Sequence, residues 1–224
     1  MIRDFAAPCA LRLRRLLLAS CLLGCAAGAS AAEEGFIPLF DGQSLAGWMG
    51  ATEGYKVEDG TITCIPGKGG GGNLLTEREF ADFDLKLEFR LPPGGNNGVA
   101  IRAPREGHVA TLGMEIQILD STHPKYAKLE KYQYHGSVYG VIPAKRGYLR
   151  AVGEWNEQEI RCRGSHVTVI LNGETIVDGD VIAASEPKTV DGKDHPGVRR
   201  TSGHVGFLGH GDAVQFRNIR IKPI

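Results

Sequence analysis

An excess of charge of one sign is missing from this 224-residue sequence: 26 Lys and Arg stand against 26 Asp and Glu. No basic block or stripe is present, which excludes a phosphate-tracking surface and leaves nucleic acid out as a partner. Long hydrophobic runs are missing too. The apolar run from Leu16 to Leu23 is too short to span a bilayer as a stable helix. Cysteine is sparse, with five residues in all, and no spacing between them is of the metal-binding kind. No stretch carries the 3.6-residue apolar period of a convincing amphipathic helix, which argues against a helical bundle or an α/β sheet. A P-loop is absent as well. Gly67-Lys68-Gly69-Gly70-Gly71-Gly72-Asn73 is glycine-rich but lacks the spaced glycines and the Gly-Lys-Ser/Thr ending, so it reads as a flexible surface loop.

The first thirty or so residues read as an export signal. Arg3, Arg12, Arg14 and Arg15 precede the apolar run, and Ala29-Ser30-Ala31 fits a small-x-small cleavage site with the mature chain starting at Ala32. A competing cut lies before Cys25, where Leu22-Leu23-Gly24-Cys25 resembles a lipobox. A lipid anchor at Cys25 is the one membrane attachment this sequence suggests. The expected location is exported, periplasmic or extracellular. Residues 1–31 hold four of the 26 basic residues and one of the 26 acidic ones, so the remainder carries 22 against 25, a formal charge of −3. Cys9, Cys21 and Cys25 lie in the signal region. Cys64 and Cys162 remain, either as a disulfide or as two buried thiols on separate strands.

What is present is a succession of short strands and glycine turns. Tyr55–Glu58 and Thr61–Ile65 flank Asp59-Gly60, and Val167–Leu171 and Thr175–Val177 flank Asn172-Gly173. Both dipeptides tolerate positive φ at both turn positions and predict two-residue hairpins. Asp84 to Leu91 alternates without a fault, with leucines and Phe89 on one face. Val99–Arg102 is a further strand that puts Arg102 on the face opposite Val99 and Ile101. Val214 to Ile221 changes phase, since Val214 and Phe216 share one parity and Ile219 and Ile221 the other; a bulge near Arg217-Asn218 reconciles them. The expected fold is all-β, two antiparallel sheets packed as a sandwich or jelly roll, in one domain over 36–222.

Gly113 to Asp120 is the stretch with two different faces. Glu115 and Gln117 share one side, Ile116 and Ile118 the other, so a half-buried strand would show the carboxylate and amide to a groove. Residues 121–153 are long, irregular and hold five of the six tyrosines, Tyr126, Tyr132, Tyr134, Tyr139 and Tyr148. Such loops are often functional, and aromatic faces suit sugar rings.

Taken together, Phe36–Gly42 with Leu45, Gly47 and Trp48, Gly71–Thr76, Phe83–Arg90, Asn97–Arg102, Gly113–Asp120, Tyr139-Gly140, Gly153–Asn156, Leu171–Gly173 and His210-Gly211 with Phe216–Ile219 resemble the 3-keto-disaccharide hydrolase family, also described as 3-keto-glucoside lyase or hydratase domains. The pieces run in the family's order from Phe36 to the C-terminus. The resemblance implies a concanavalin-like jelly roll with a ligand groove, similar in architecture to laminarinase-type glucanases. Those carry Glu-x-Asp-x-x-Glu, whereas this strand reads Glu115-x-Gln117-x-x-Asp120. Retaining hydrolysis needs two carboxyls about 5–5.5 Å apart, and Asp120 points away from Glu115 in a regular strand. The family's chemistry offers another route. A ketone at C3 acidifies the C2 proton, a base removes it, the group on C1 leaves by β-elimination, and water adds to the resulting 2-hydroxy-3-keto-glucal.

On that reading Glu115 is the general base, His210 the donor to the leaving oxygen or the enolate stabiliser, and Arg102 the partner of the ketone oxygen. Gln117, Tyr139 and His135 are the candidate sugar contacts. If a divalent metal serves as cofactor, Glu115, His135 and His210 are its candidate ligands. An oligosaccharide or 3-keto-glycoside is the expected partner. A non-catalytic carbohydrate-binding module and a conventional endo-glucanase are the alternatives.

Overall fold

The computed structural model describes Met1 and residues 33–67 and 71–224. Residues 2–32, which hold the stretch read above as an export signal and the lipobox-like site at Cys25, and positions 68–70 of the glycine run lie outside the described residues. Residues 33–224 form one compact unit, in which no helix among the described residues is long and apolar enough to cross a membrane.

Among the described residues thirteen strands build it: β1 (Ile37–Pro38), β2 (Trp48–Gly50), β3 (Tyr55–Glu58), β4 (Thr61–Cys64), β5 (Gly71–Phe80), β6 (Phe83–Arg90), β7 (Asn96–Ala103), β8 (Met114–Leu119), β9 (Trp155–Arg163), β10 (His166–Leu171), β11 (Glu174–Asp180), β12 (Gly203–His210) and β13 (Gln215–Pro223). The larger sheet runs β11-β10-β9-β6-β13-β4-β3, with β1 also on β13; the smaller runs β2-β5-β12-β7-β8. Two one-turn helices, α1 (Val109–Leu112) and α2 (Val181–Ala184), sit in the connections. The architecture is the expected antiparallel β-sandwich.

The sandwich closes because alternate residues of both sheets are apolar. Phe83, Leu85, Leu87 and Phe89 of β6 point in, opposite Val99, Ile101, Met114, Ile116 and Ile118 of the smaller sheet, all in one buried cluster. Phe207 of β12 stacks on Phe216 of β13 across the layers at 3.8 Å between ring centroids, and Trp48 lies against Phe207 at 5.5 Å. Each such side chain contributes roughly 1.5–3 kcal/mol when fully buried.

Both hairpin turns form as the dipeptides require, with φ of 49° and 69° at Asp59 and Gly60 and 51° and 91° at Asn172 and Gly173. The bulge in the last strand also forms. The register of β13 on β6 shifts between Arg217 and Arg220, and Asn218 takes a φ of 50°.

Three expectations are corrected. The glycine run is not wholly loop: β5 begins at Gly71, which pairs with His210. Side-chain-free positions hid this strand, since periodicity needs side chains to show. Cys64 and Cys162 are free and buried, so the disulfide alternative falls. The strand carrying Glu115 is not half-buried, because all six residues of β8 are buried. Its outer edge is covered by the aromatic loop. Val138 bridges Ile116 in antiparallel register, Gln117 N–H donates to the Ser137 carbonyl at 3.0 Å, and Tyr139 N–H donates to the Glu115 carbonyl at 2.9 Å.

Candidate active site

The face of the smaller sheet turned away from the core carries the site. Ile116 and Val99 face inward as a pair, so their neighbours face out: Glu115 beside Ala100, and Gln117 beside Gly98. Ala100 is opposite Gly206, and Gly206 opposite Leu75. One half of this face is apolar. Val109 of α1 packs with Leu75, Ala100, Ala103 and Leu208 in a second buried cluster, joined by Met49. Beside this cluster, on β8, stand Glu115 and Gln117.

Glu115 is 5 % exposed and Gln117 6 %. Glu115 Oε1 and Gln117 Oε1 are buried without a hydrogen-bond partner among the described residues. An unpaired buried acceptor is costly, and two side by side on one face suit a ligand that brings hydroxyl donors. Burial pushes the Glu115 carboxyl from 4.5 up to about 7, because no protein charge compensates the loss of water. Such a group exchanges a proton near neutrality. Gly98 makes room for it. A Cβ at that position would lie 2.2 Å from Glu115 Oε1 and 2.7 Å from its Cδ, so the carboxyl leans over bare backbone.

The remaining candidates separate. Tyr139 comes to the site, directly across from Glu115 on the covering loop; its hydroxyl accepts from Gln133 Nε2 at 3.2 Å, and its ring meets Tyr132 edge-on at 5.7 Å. Arg102 does not. Its φ of 47° breaks the strand alternation and sends the guanidinium to the end of the sandwich. There it donates to the carbonyls of Ala81, Gly164 and Arg200 and pairs with Asp82 at 2.8 Å. It is a buried clamp rather than a neighbour of Glu115.

His135 is a core residue. Its ring lies 5.0 Å from that of Phe89, its Nδ1 accepts from the Leu119 N–H, and burial lowers its pKa to about 3, with Gln158 opposing. The covering loop turns this residue inward, so it offers nothing to a sugar on the outer face. His210 shares the face of Glu115 but stands two strands across and four residues along, roughly 16 Å away by strand geometry. Burial lowers its pKa and Asp212 opposes this, although much of the residue is exposed. Glu115, His135 and His210 therefore do not form a metal-ligating set, and no three His, Cys, Asp or Glu side chains cluster in that way among the described residues.

A second carboxylate for glycosidase chemistry is not supplied by Asp120. Its Oδ2 accepts from the Gly94 N–H and its Oδ1 from Thr122, which ties it into the turn after β8. Gly98 and Asn96 are the site residues that sequence reasoning missed. A glycine inside a strand, between Asn97 and Val99, marks a close approach and was the available signal.

Two antiparallel sheets packed face to face, with a buried carboxyl on the outer face of the smaller one, define a protein of the jelly-roll β-sandwich class. Its galectin-like architecture is shared with a Bacillus subtilis protein of galectin-like fold, at a TM-score of 0.51 and 9 % identity over 84 % of this chain and 94 % of that one. The chain belongs to the 3-keto-alpha-glucoside-1,2-lyase-like domain family, which matches residues 35–222. A relative from Bacteroides thetaiotaomicron, named 3-keto-disaccharide hydrolase, is 29 % identical over 85 % of this chain and 79 % of its own length. A solved structure from Parabacteroides distasonis, described as a candidate glycosyl hydrolase, is also 29 % identical, with a TM-score of 0.73 over 84 % of this chain and 99 % of that one.

Proposed function

We propose that the protein cleaves 3-keto-glycosides by removing the C2 proton and eliminating the group on C1. The observation that carries this reading is the Glu115 carboxyl: buried, unpaired, uncompensated by a cation and seated over Gly98. The family and the named relative supply the substrate class. Glu115 takes the proton from C2, and the C–H electron pair moves into a C2–C3 enolate. The enolate returns its pair to form the C1–C2 double bond as the C1–O bond breaks. The departing oxygen takes up a proton, for which protonated Glu115 is a source. Water then adds to C1 of the enone and a proton to C2, which completes net hydrolysis. This route asks for one base rather than two paired carboxyls, and β8 and β7 carry one buried, unpaired carboxyl on that face among the described residues.

Turnover of 3-keto-trehalose and 3-keto-glucosides in heavy water tests it. The released 3-keto-glucose is expected to carry one deuterium at C2 by mass spectrometry. Cleavage without deuterium would mean direct hydrolysis, and binding without cleavage across the panel would mean a carbohydrate-binding module.

We also place this chemistry outside the cytoplasm, on the strength of the basic and apolar segment before Ala32. N-terminal analysis of the protein from its native host is expected to show a start at Ala32, or a lipidated Cys25. An intact Met1 would sink this placement.

A further inference from the structure

We propose, resting on the elimination reading above, that Asp191 and His195 are positioning residues for the active site: their hydrogen-bonded side chains hold the backbone at Gly140, and through it Tyr139 and Glu115, in place. The pair lies in the long connection between α2 and β12. Both side chains are 2 % exposed, and His195 Nε2 stands 3.0 Å from Asp191 Oδ2. Other donors fix the carboxylate as well. Thr189 Oγ1 and the Lys193 N–H each donate to Asp191 Oδ1 at 3.0 Å. Burial works to raise the Asp191 carboxyl, but the donors from His195, Lys193 and Thr189 outweigh it and hold it below its usual value. An ionised carboxylate only accepts, so His195 Nε2 carries the proton of the bond between them.

Two contacts carry the pair to the site. The first is at Gly140. The Asp191 N–H donates to the Gly140 carbonyl at 3.3 Å, and a Cβ on Gly140 would lie 2.5 Å from His195 Nε2 and 2.6 Å from Asp191 Oδ2. The hydrogen-bonded pair rests on bare backbone, which glycine alone offers. Gly140 follows Tyr139, whose N–H is bonded to the Glu115 carbonyl. The second contact is at Gly113, two residues before Glu115. A Cβ on Gly197 would lie 2.0 Å from the Gly113 carbonyl oxygen. Residues 191–197 thus meet the chain where β8 begins and where its cover ends. Beyond Tyr139 the cover turns back, with the Val141 and Ile142 N–H groups both donating to the Val138 carbonyl. Pairing with β8 stops there, and Asp191 takes up the next carbonyl. A base and a sugar contact need placement within about 0.5 Å, and a shift of about 1 Å can cost roughly 10²-fold in rate. A buried charge-assisted hydrogen bond, stronger than a neutral one, supplies that placement between two irregular loops.

The test compares wild type with His195→Ala, Gly140→Ala and His195→Gln, each first shown by denaturant melts to be folded at the assay temperature. Amide hydrogen exchange reads the brace itself. His195→Ala and Gly140→Ala are expected to speed exchange of the Tyr139 N–H by about tenfold or more. His195→Gln, whose side-chain amide donates from nearly the position of Nε2, is expected to stay near wild type. Turnover of a 3-keto-glucoside reads the consequence. In His195→Ala and Gly140→Ala kcat/KM per folded molecule is expected to fall about tenfold to a hundredfold. In His195→Gln it recovers to within about threefold of wild type. Faster exchange with unchanged kcat/KM, unchanged exchange, or no recovery in His195→Gln would each overturn the positioning role. A wild type that binds the sugar without cleaving it would end the elimination reading instead, and the pair is then judged by the same ratios in Kd.

Discussion

Glu115→Gln is expected to lower kcat/KM by about a hundredfold to ten-thousandfold while making the protein more stable above neutral pH. The first half follows from removing the only buried, unpaired carboxyl on the outer face of β8 and β7 among the described residues; general bases contribute roughly 10²–10⁴ in rate. The second half follows from linkage. The folded-state pKa is raised, from 4.5 to about 7, by burial, so the folded protein binds this proton more tightly than the unfolded chain does. Below about pH 4.5 the carboxyl is protonated in both states and costs nothing. As pH rises from there to 7 the unfolded chain gives up this proton while the folded protein keeps it, and stability falls. Above 7 the full cost is present, on the order of 3 kcal/mol. Glutamine does not ionise. The difference in unfolding free energy between variant and wild type is expected near zero at pH 4.5 and largest at pH 8, with wild-type kcat/KM rising through pH 7. Denaturant melts at the two pH values check the stability, and the heavy-water assay checks the rate. A difference that does not vary with pH, or an active variant, would remove Glu115 from its role.

Arg102→Ala is expected to cost about 3–5 kcal/mol of stability, enough to unfold a large part of the population at 37 °C. The guanidinium is 2 % exposed and ties together the β5–β6 turn at Ala81 and Asp82, the β9–β10 turn at Gly164, and the backbone of Arg200 before β12. Its removal leaves three carbonyls without this donor and a void the length of the side chain. Arg102→Lys is expected to recover little, since an ammonium is a single point of charge and the site uses a planar fork. Because the clamp lies away from Glu115, the residual folded fraction should keep the wild-type KM. Chemical denaturation and KM at low temperature measure the two. A loss below about 1 kcal/mol would contradict the clamp.

The fold was legible wherever side chains alternate or turns dictate φ. Phe83 to Arg90 alternates perfectly, Asp59-Gly60 and Asn172-Gly173 set their hairpins, and the phase change before Ile219 announced its bulge. Legibility failed where the pattern had no side chains to carry it, at Gly71-Gly72 in β5, and where a single dihedral overrode it, at Arg102. Parity along β8 correctly put Glu115 and Gln117 on one face away from the isoleucines. Lateral distance was beyond reach. Nothing in the one-dimensional spacing tells that His210 stands two strands over from Glu115, or that the loop bearing Tyr139 lies back along β8 and turns His135 inward.

That returning loop has a consequence for the life of the protein in crowded solution. β8 ends its sheet, and an unpaired sheet margin bearing Ile116, Ile118 and Leu119 would be a template on which other chains could grow. Residues 136–139 occupy that margin with backbone bonds of their own. The chain thus caps this strand against self-association with a segment of itself, and the length of the connection from Asp120 to Trp155 is what lets it reach.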